Sequence, residues 1–187
     1  MTAFYLLVPF LFIRFIFLSL LDRKATGRAA HFASMQGKEI IAYYLYQLST
    51  LMLLIVPFFL KVTLHFSSFF YLGLGAYLLG SVLLFLVIKD FANPDEKGLN
   101  TKGLYALSRH PMYIAYFVLF LGVAMLTQSL TLLIFLAIFQ LSAHFIILAE
   151  ERECLIKFGA AYKNTKNELG CICEVYFYKS DCFYKED

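Results

Sequence analysis

Two short groups of residues in this chain could do chemistry together: the stretch from Tyr105 through Arg109-His110-Pro111-Met112-Tyr113, and the acid pair Glu150-Glu151. Pro111 suits the first turn of a helix, where its missing N–H costs nothing, and it biases His110 towards an extended backbone. The free amides behind such a proline can receive an anion, and Arg109 and His110 add positive charge beside them. Glu150 and Glu151 offer the opposite charge. If the fold joins the two groups, the site they make is bipolar.

The elements that must position these residues are membrane helices. Hydrophobic residues make up 61% of the 187 and charged residues 16%, and the mean hydropathy is +0.73. These values exclude an ordinary soluble domain. The net charge of +3 is small and its basic residues are scattered through short loops, so nucleic acid is not an expected partner. Residues 3–21 are apolar apart from Arg14 and Ser19, and crossing a hydrocarbon core takes about 20 helical residues. This run lacks a basic leading region and a small-x-small cleavage site, so it reads as a retained span. Arg14 near its middle should face other helices, pair with a buried acceptor or snorkel, and a packing role accounts for it by itself.

Further spans are expected over residues 40–60, 66–88, 113–126 and 130–149. The fourth is short and can begin within the Arg109-His110 segment. Pro57 should kink or end the second, and Gly73, Gly75, Ala76 and Gly80 should let the third approach a neighbour closely. Asn93-Pro94-Asp95 marks a turn, and Thr127-Gln128-Ser129 a tight break. Past Glu150, the spacing of Leu155, Phe158 and Tyr162 predicts a helix that continues outward as an amphipathic stem. The expected fold is therefore all-α: one membrane domain over residues 1–167 with about five transmembrane helices and a C-terminal cytoplasmic amphipathic helix. Residues 168–187 read as an irregular tail. Lysine and arginine number four in the first polar loop, four in the third and six in the tail, against Lys61 on the other side. This puts the N-terminus outside and the C-terminus and site in the cytoplasm. There the four C-terminal cysteines should be reduced thiols. Cys171-x-Cys173 followed by Cys182 lacks the paired spacing of a zinc site, so no metal is expected.

In this topology two apolar helices joined by a tight turn return Glu150 to the face that carries Tyr113. A ligand could then set a carboxylate at the helix start, an ammonium on a glutamate and an aromatic ring against Tyr105 or Tyr113. S-adenosylmethionine fits that description. The bland alternatives are a cationic anchor for Arg109 and His110, an interfacial aromatic for Tyr113 and a solvated stem for the acids.

The pattern Gly103-x-Tyr105-x-x-x-Arg109-His110-Pro111-x-Tyr113, an apolar hairpin, then Glu150-Glu151 and Phe158-Gly159-x-x-Tyr162, resembles the integral-membrane isoprenylcysteine carboxyl methyltransferases and the related phospholipid methyltransferases. The resemblance spans roughly residues 99–162. It implies that Tyr105, His110, Pro111, Met112 and Tyr113 contact S-adenosylmethionine, that Leu99 lines the mouth of the site, and that Glu150 is a further cofactor contact. Arg109 joins them as part of the cationic segment. The family usually carries an arginine four residues before the first acid, and Ile146 stands there, which leaves a prenylcysteine carboxylate without its partner. Cys154 and Thr165 also depart from the usual leucine and tyrosine.

The implied activity is a membrane-embedded methyltransferase taking a lipidic or prenylated acceptor, small molecule or peptide, from the bilayer. A carboxylate acceptor is already ionised at neutral pH, whereas an amine requires a base, for which Glu151 and His144 are the candidates. The absent arginine leans towards the amine. Two alternatives stand beside this one: an NADPH-dependent reductase of sterol-reductase-like architecture, and a non-catalytic membrane binding protein. Acceptor and oligomeric state are not legible.

Overall fold

Regular helix, and no strand longer than an isolated bridge, makes up the structure, a computed structural model that describes residues 1–22, 26–27, 32–64, 67–93, 102–108 and 110–158. We number the helices α1 (Ala3–Leu21), α2 (Lys38–Phe58), α3 (Ser68–Ala92), α4 (Pro111–Thr127) and α5 (Leu130–Phe158). All but α4 are long and apolar enough to cross a membrane, and α4 is a shorter apolar helix. The side chains agree with that setting. Phe59, Leu20, Leu130 and Leu141 are at least 66% exposed on the outer surface, the reverse of a water-soluble arrangement. The chain is an integral membrane helical bundle.

The boundaries differ from the expected ones in instructive ways. α3 runs on to Ala92, four residues beyond the expected end, because Asn93 closes it: its side-chain amide donates to the Lys89 carbonyl at 2.9 Å. α2 turns from α-helix to a 3-10 turn at Val56–Phe58 with Pro57 inside it, as a missing backbone donor requires. α4 begins at Pro111 itself, with His110 at the N-cap in a non-helical conformation. α5 continues without a break from the apolar hairpin through the acid pair to Phe158. Tyr162 and the tail lie outside the described residues.

Close packing of α3 on α4 sets the frame. A Cβ on Gly80 would overlap the Leu119 backbone, and one on Gly122 would overlap the Tyr77 backbone. The two glycines thus let the helix backbones touch. Gly73 lies similarly against Met125 and Leu126, but Gly75 faces open space and takes no part in the contact. The break between α4 and α5 has local causes. Gln128 adopts the left-handed conformation that stops α4, and the Ser129 hydroxyl accepts the Leu132 amide at 3.3 Å to start α5. At the end of the bundle away from the site, Ala3 donates to the Leu60 carbonyl at 2.9 Å and Thr63 to the Leu126 carbonyl at 3.0 Å. These bonds tie the start of α1, the α2–α3 connection and the end of α4 together.

Candidate functional site

The start of α4 and the far part of α5 meet at one end of the bundle. There the Tyr113 hydroxyl donates to Glu150 Oε1 at 2.9 Å. The His110 ring lies between the two acids, with Nε2 3.4 Å from Glu151 Oε1 and Nδ1 3.8 Å from Glu150 Oε2. All three side chains are largely enclosed: His110 is 13% exposed, Glu150 29% and Glu151 9%. His110 therefore contacts the carboxylates directly instead of standing across a gap from them, and its first effect is to orient both. Its own amide donates to the Ser108 hydroxyl at 3.3 Å. Among the described residues no side chain caps α4, so its first amides are open to a ligand at the helix end.

A short 3-10 turn, Gly103–Ala106, carries Tyr105 into the same place. Asp90, near the end of α3, holds that turn by accepting the Leu104 amide at 2.9 Å. Gly103 makes the approach possible: its φ is +61°, and a Cβ there would collide with the Asp90 carboxylate. Tyr105 is buried, and burial pushes its phenol well above the usual range. The neighbouring Tyr116 and Glu150 act in the same direction and Arg14 opposes them. The hydroxyl stays protonated.

Two contributions come from parts of the sequence that carry no signal. Tyr46 of α2 is buried, stacks on Phe139 of α5 at 5.0 Å and meets the Tyr113 ring at 6.2 Å. Among 13 tyrosines and 21 phenylalanines nothing in the sequence marks it. One residue past the acid pair, Arg152 donates to both Glu39 carboxylate oxygens at 2.8 Å and to the Ser34 carbonyl at 2.8 Å. Glu39 in turn accepts the Gln36 amide at 2.9 Å and so caps the start of α2. This fork holds α5 in the rotation that turns Glu150 and Glu151 inward. A charge-reversing Arg152→Glu change is expected to lower stability by only about 1 kcal/mol, because the arginine is 36% exposed and water screens the pair. A compensating Glu39→Arg change in the same protein should restore part of the loss, read as the midpoint of thermal unfolding in detergent.

Of the residues singled out from the sequence, Tyr105, His110, Pro111, Met112, Tyr113, Glu150 and Glu151 gather at this end. Met112 is half-buried against the core and Pro111 is buried at the helix start. Leu99 and Arg109 lie outside the described residues. His144 is not in the cluster: it sits two turns, about 10 Å, deeper along α5 than Glu151 and contacts the ring of its neighbour Phe145. Ile146 is fully buried, so no polar group occupies the position where the resemblance expects arginine.

The hairpin that seats the start of α4 against the paired acid lies inside the stretch that comparison with known proteins matches. The profile of one family, described as phospholipid methyltransferase, fits residues 49–161, more than half of the chain. The chain belongs to the phospholipid methyltransferase family. It is therefore a membrane methyltransferase, and hydride transfer, the competing enzymatic reading, loses its ground. The match begins within α2, so α1 lies outside it. No curated protein and no solved structure matched the chain.

Proposed function

We propose that this protein is an S-adenosylmethionine-dependent methyltransferase that acts on a lipidic or amphiphilic acceptor, with an amine headgroup as the methylated group. The observation that carries this reading is the cluster in which Tyr113 and His110, at an uncapped helix start, bind the two carboxylates of α5. The donor set suits the cofactor. Free amides of α4 complement a carboxylate, as would Arg109, which precedes His110 in the sequence; Glu150 complements an ammonium, and the rings of Tyr105 and Tyr113 offer apolar faces to an adenine.

When bound, the sulfonium supplies an electrophilic methyl group, so no covalent nucleophile is required of the protein. The chain's own residues do the rest. Glu150, steadied by the Tyr113 hydroxyl, would hold one end of the cofactor, and His110 keeps both carboxylates aimed inward. An acceptor nitrogen held there would use its lone pair to form the new carbon–nitrogen bond, the electrons of the broken carbon–sulfur bond leaving with the sulfur. Glu151, enclosed beside His110, is the base that takes the proton the nitrogen loses. His144 would serve only an acceptor atom placed deeper in the bundle. Positive charge in the loops beside the site supports a cytoplasmic orientation, from which a soluble cofactor arrives from water and the acceptor arrives laterally.

Purified protein incubated with methyl-labelled S-adenosylmethionine and a total lipid extract should label an amine-headgroup lipid. Label in a carboxyl ester, released by mild base, would replace the amine acceptor with a carboxylate one. A protein that binds S-adenosylhomocysteine but labels no lipid would overturn the lipid acceptor.

A further inference from the structure

Arg14 is the only charged residue between Ala3 and Leu21. Lys38 and Lys89 stand at helix ends and Arg152 beyond the acid pair, so Arg14 is the only cation that the described spans place at mid-helix. The helix changes around it. Phe12–Phe17 forms a π-helical turn that contains Arg14, a geometry rare in helices and frequent at functional sites.

The direction of aim follows from its neighbours. Phe10, one turn earlier, packs edge-on against Tyr116 at 5.7 Å and Phe120 at 5.3 Å, and Phe17, one turn later, stacks on Phe85 of α3 at 4.8 Å. α1 and α4 run antiparallel. Moving from Phe10 to Arg14 therefore covers about 5–6 Å towards the start of α4, where His110 and Tyr113 meet Glu150. The Nη1 atom of Arg14 is buried, so that part of the guanidinium lies inside the bundle.

Tyr116 supplies an independent sign of a ligand. Its residue is 8% exposed, and its hydroxyl has no hydrogen-bond partner among the described residues. A buried hydroxyl left in that state is unfavourable, and an incoming oxygen acceptor would offset the loss. Tyr116 projects from the α4 turn next to Tyr113, and its ring packs on Phe10, one helical turn before Arg14 on α1.

We infer that Arg14 and Tyr116 form an acceptor subsite that holds the phosphodiester oxygens of a phospholipid headgroup beside the Glu150–Glu151 cluster. This deepens the methyltransferase reading and rests on it for the identity of the reacting group. Arg14 lies outside residues 49–161, so the family match does not supply the assignment. In an ethanolamine-type headgroup two carbons join the phosphate oxygen to the amine. Fixing the phosphate at Arg14 leaves the amine tethered near the acids of α5, and a charge on α1 does the orienting that fully buried Ile146 on α5 cannot do.

The test is equilibrium binding of phosphatidylethanolamine, labelled in one acyl chain, to purified full-length protein, with S-adenosylhomocysteine affinity measured in parallel. Arg14→Gln should weaken the phospholipid about ten-fold and Tyr116→Phe about three-fold, while Arg14→Lys keeps part of the affinity. A long-chain ethanolamine without phosphate should bind the wild type and Arg14→Gln alike, and S-adenosylhomocysteine affinity should stay within about two-fold in every variant. Equal phospholipid affinity in wild type and Arg14→Gln overturns the subsite. So does an equal loss for the phosphate-free amphiphile. Displacement of the lipid by millimolar inorganic phosphate would assign the site to free phosphate and overturn the headgroup. If Arg14→Gln also loses S-adenosylhomocysteine, Tyr116→Phe decides: selective loss of the phospholipid upholds the subsite, and no loss overturns it. Methyl transfer to the lipid with an Arg14-independent KM sinks the subsite alone. Arg14-dependent lipid binding without any methyl transfer sinks the methyltransferase reading alone.

Discussion

Glu150→Gln is expected to bind S-adenosylhomocysteine about 100-fold more weakly than the wild type, the equivalent of roughly 3 kcal/mol for removing the charge from a charge-assisted hydrogen bond in a largely enclosed site. Glutamine keeps the shape of the side chain and can still accept the Tyr113 hydroxyl, which sits 2.9 Å from Oε1. What it lacks is the charge. His110→Ala should act through position instead: with the ring gone from between the carboxylates, 3.4 Å and 3.8 Å away in the wild type, both acids lose their alignment. Calorimetry or fluorescence competition reads both changes. Unchanged affinity in both variants would remove the cluster from cofactor binding altogether.

The second large effect belongs to the helix contact that holds the site from behind. Gly122→Ala would drive a methyl group into the Tyr77 backbone, and overpacking of a tight contact costs about 1–3 kcal/mol. α4 cannot yield alone, because the Thr63 amide bonds to the Leu126 carbonyl and the Tyr77 hydroxyl bonds to the Leu6 carbonyl, tying α4 and α3 to their neighbours. The expected result is a lower midpoint of thermal unfolding in detergent, together with weaker S-adenosylhomocysteine binding as Tyr113 shifts away from Glu150. Gly75→Ala is the matched control. Its Cβ would meet nothing within 4 Å, and exchanging glycine for alanine in a helix favours the helix by about 0.8–1.0 kcal/mol in soluble reference systems. If the two substitutions have equal effects, the α3–α4 contact is not what positions α4.

Both results depend on the same division of labour. α3 and α4 form a close-packed pair, α5 brings the acids back to the start of α4, and the Glu39–Arg152 fork fixes the rotation of α5 against α2. The forces differ. The first contact is backbone against backbone with no room to adjust, so one methyl group is expected to matter. The second is a partly hydrated ion pair whose removal is softened by water. The smaller effect forecast for Arg152→Glu reflects that contrast.

Apolar runs long enough to span a bilayer, broken by Pro57, Asn93 and Thr127-Gln128-Ser129, determined a helical membrane bundle from sequence alone, because in hydrocarbon the backbone has few ways to satisfy its own polar groups. Composition and the two spaced motifs likewise determined which end of the hairpin carries the candidate site. They could not reveal that His110 lies on the glutamates, that Gly103 folds against Asp90, or that Tyr46 joins the cluster. Those facts depend on rotation and depth of one helix against another, and an apolar helix in lipid has no polar face to announce its orientation. Arg14 shows the boundary most sharply: the sequence admitted packing, pairing or snorkelling for it, and the π-helical turn and the contacts of Phe10 and Phe17 decided that it points into the bundle.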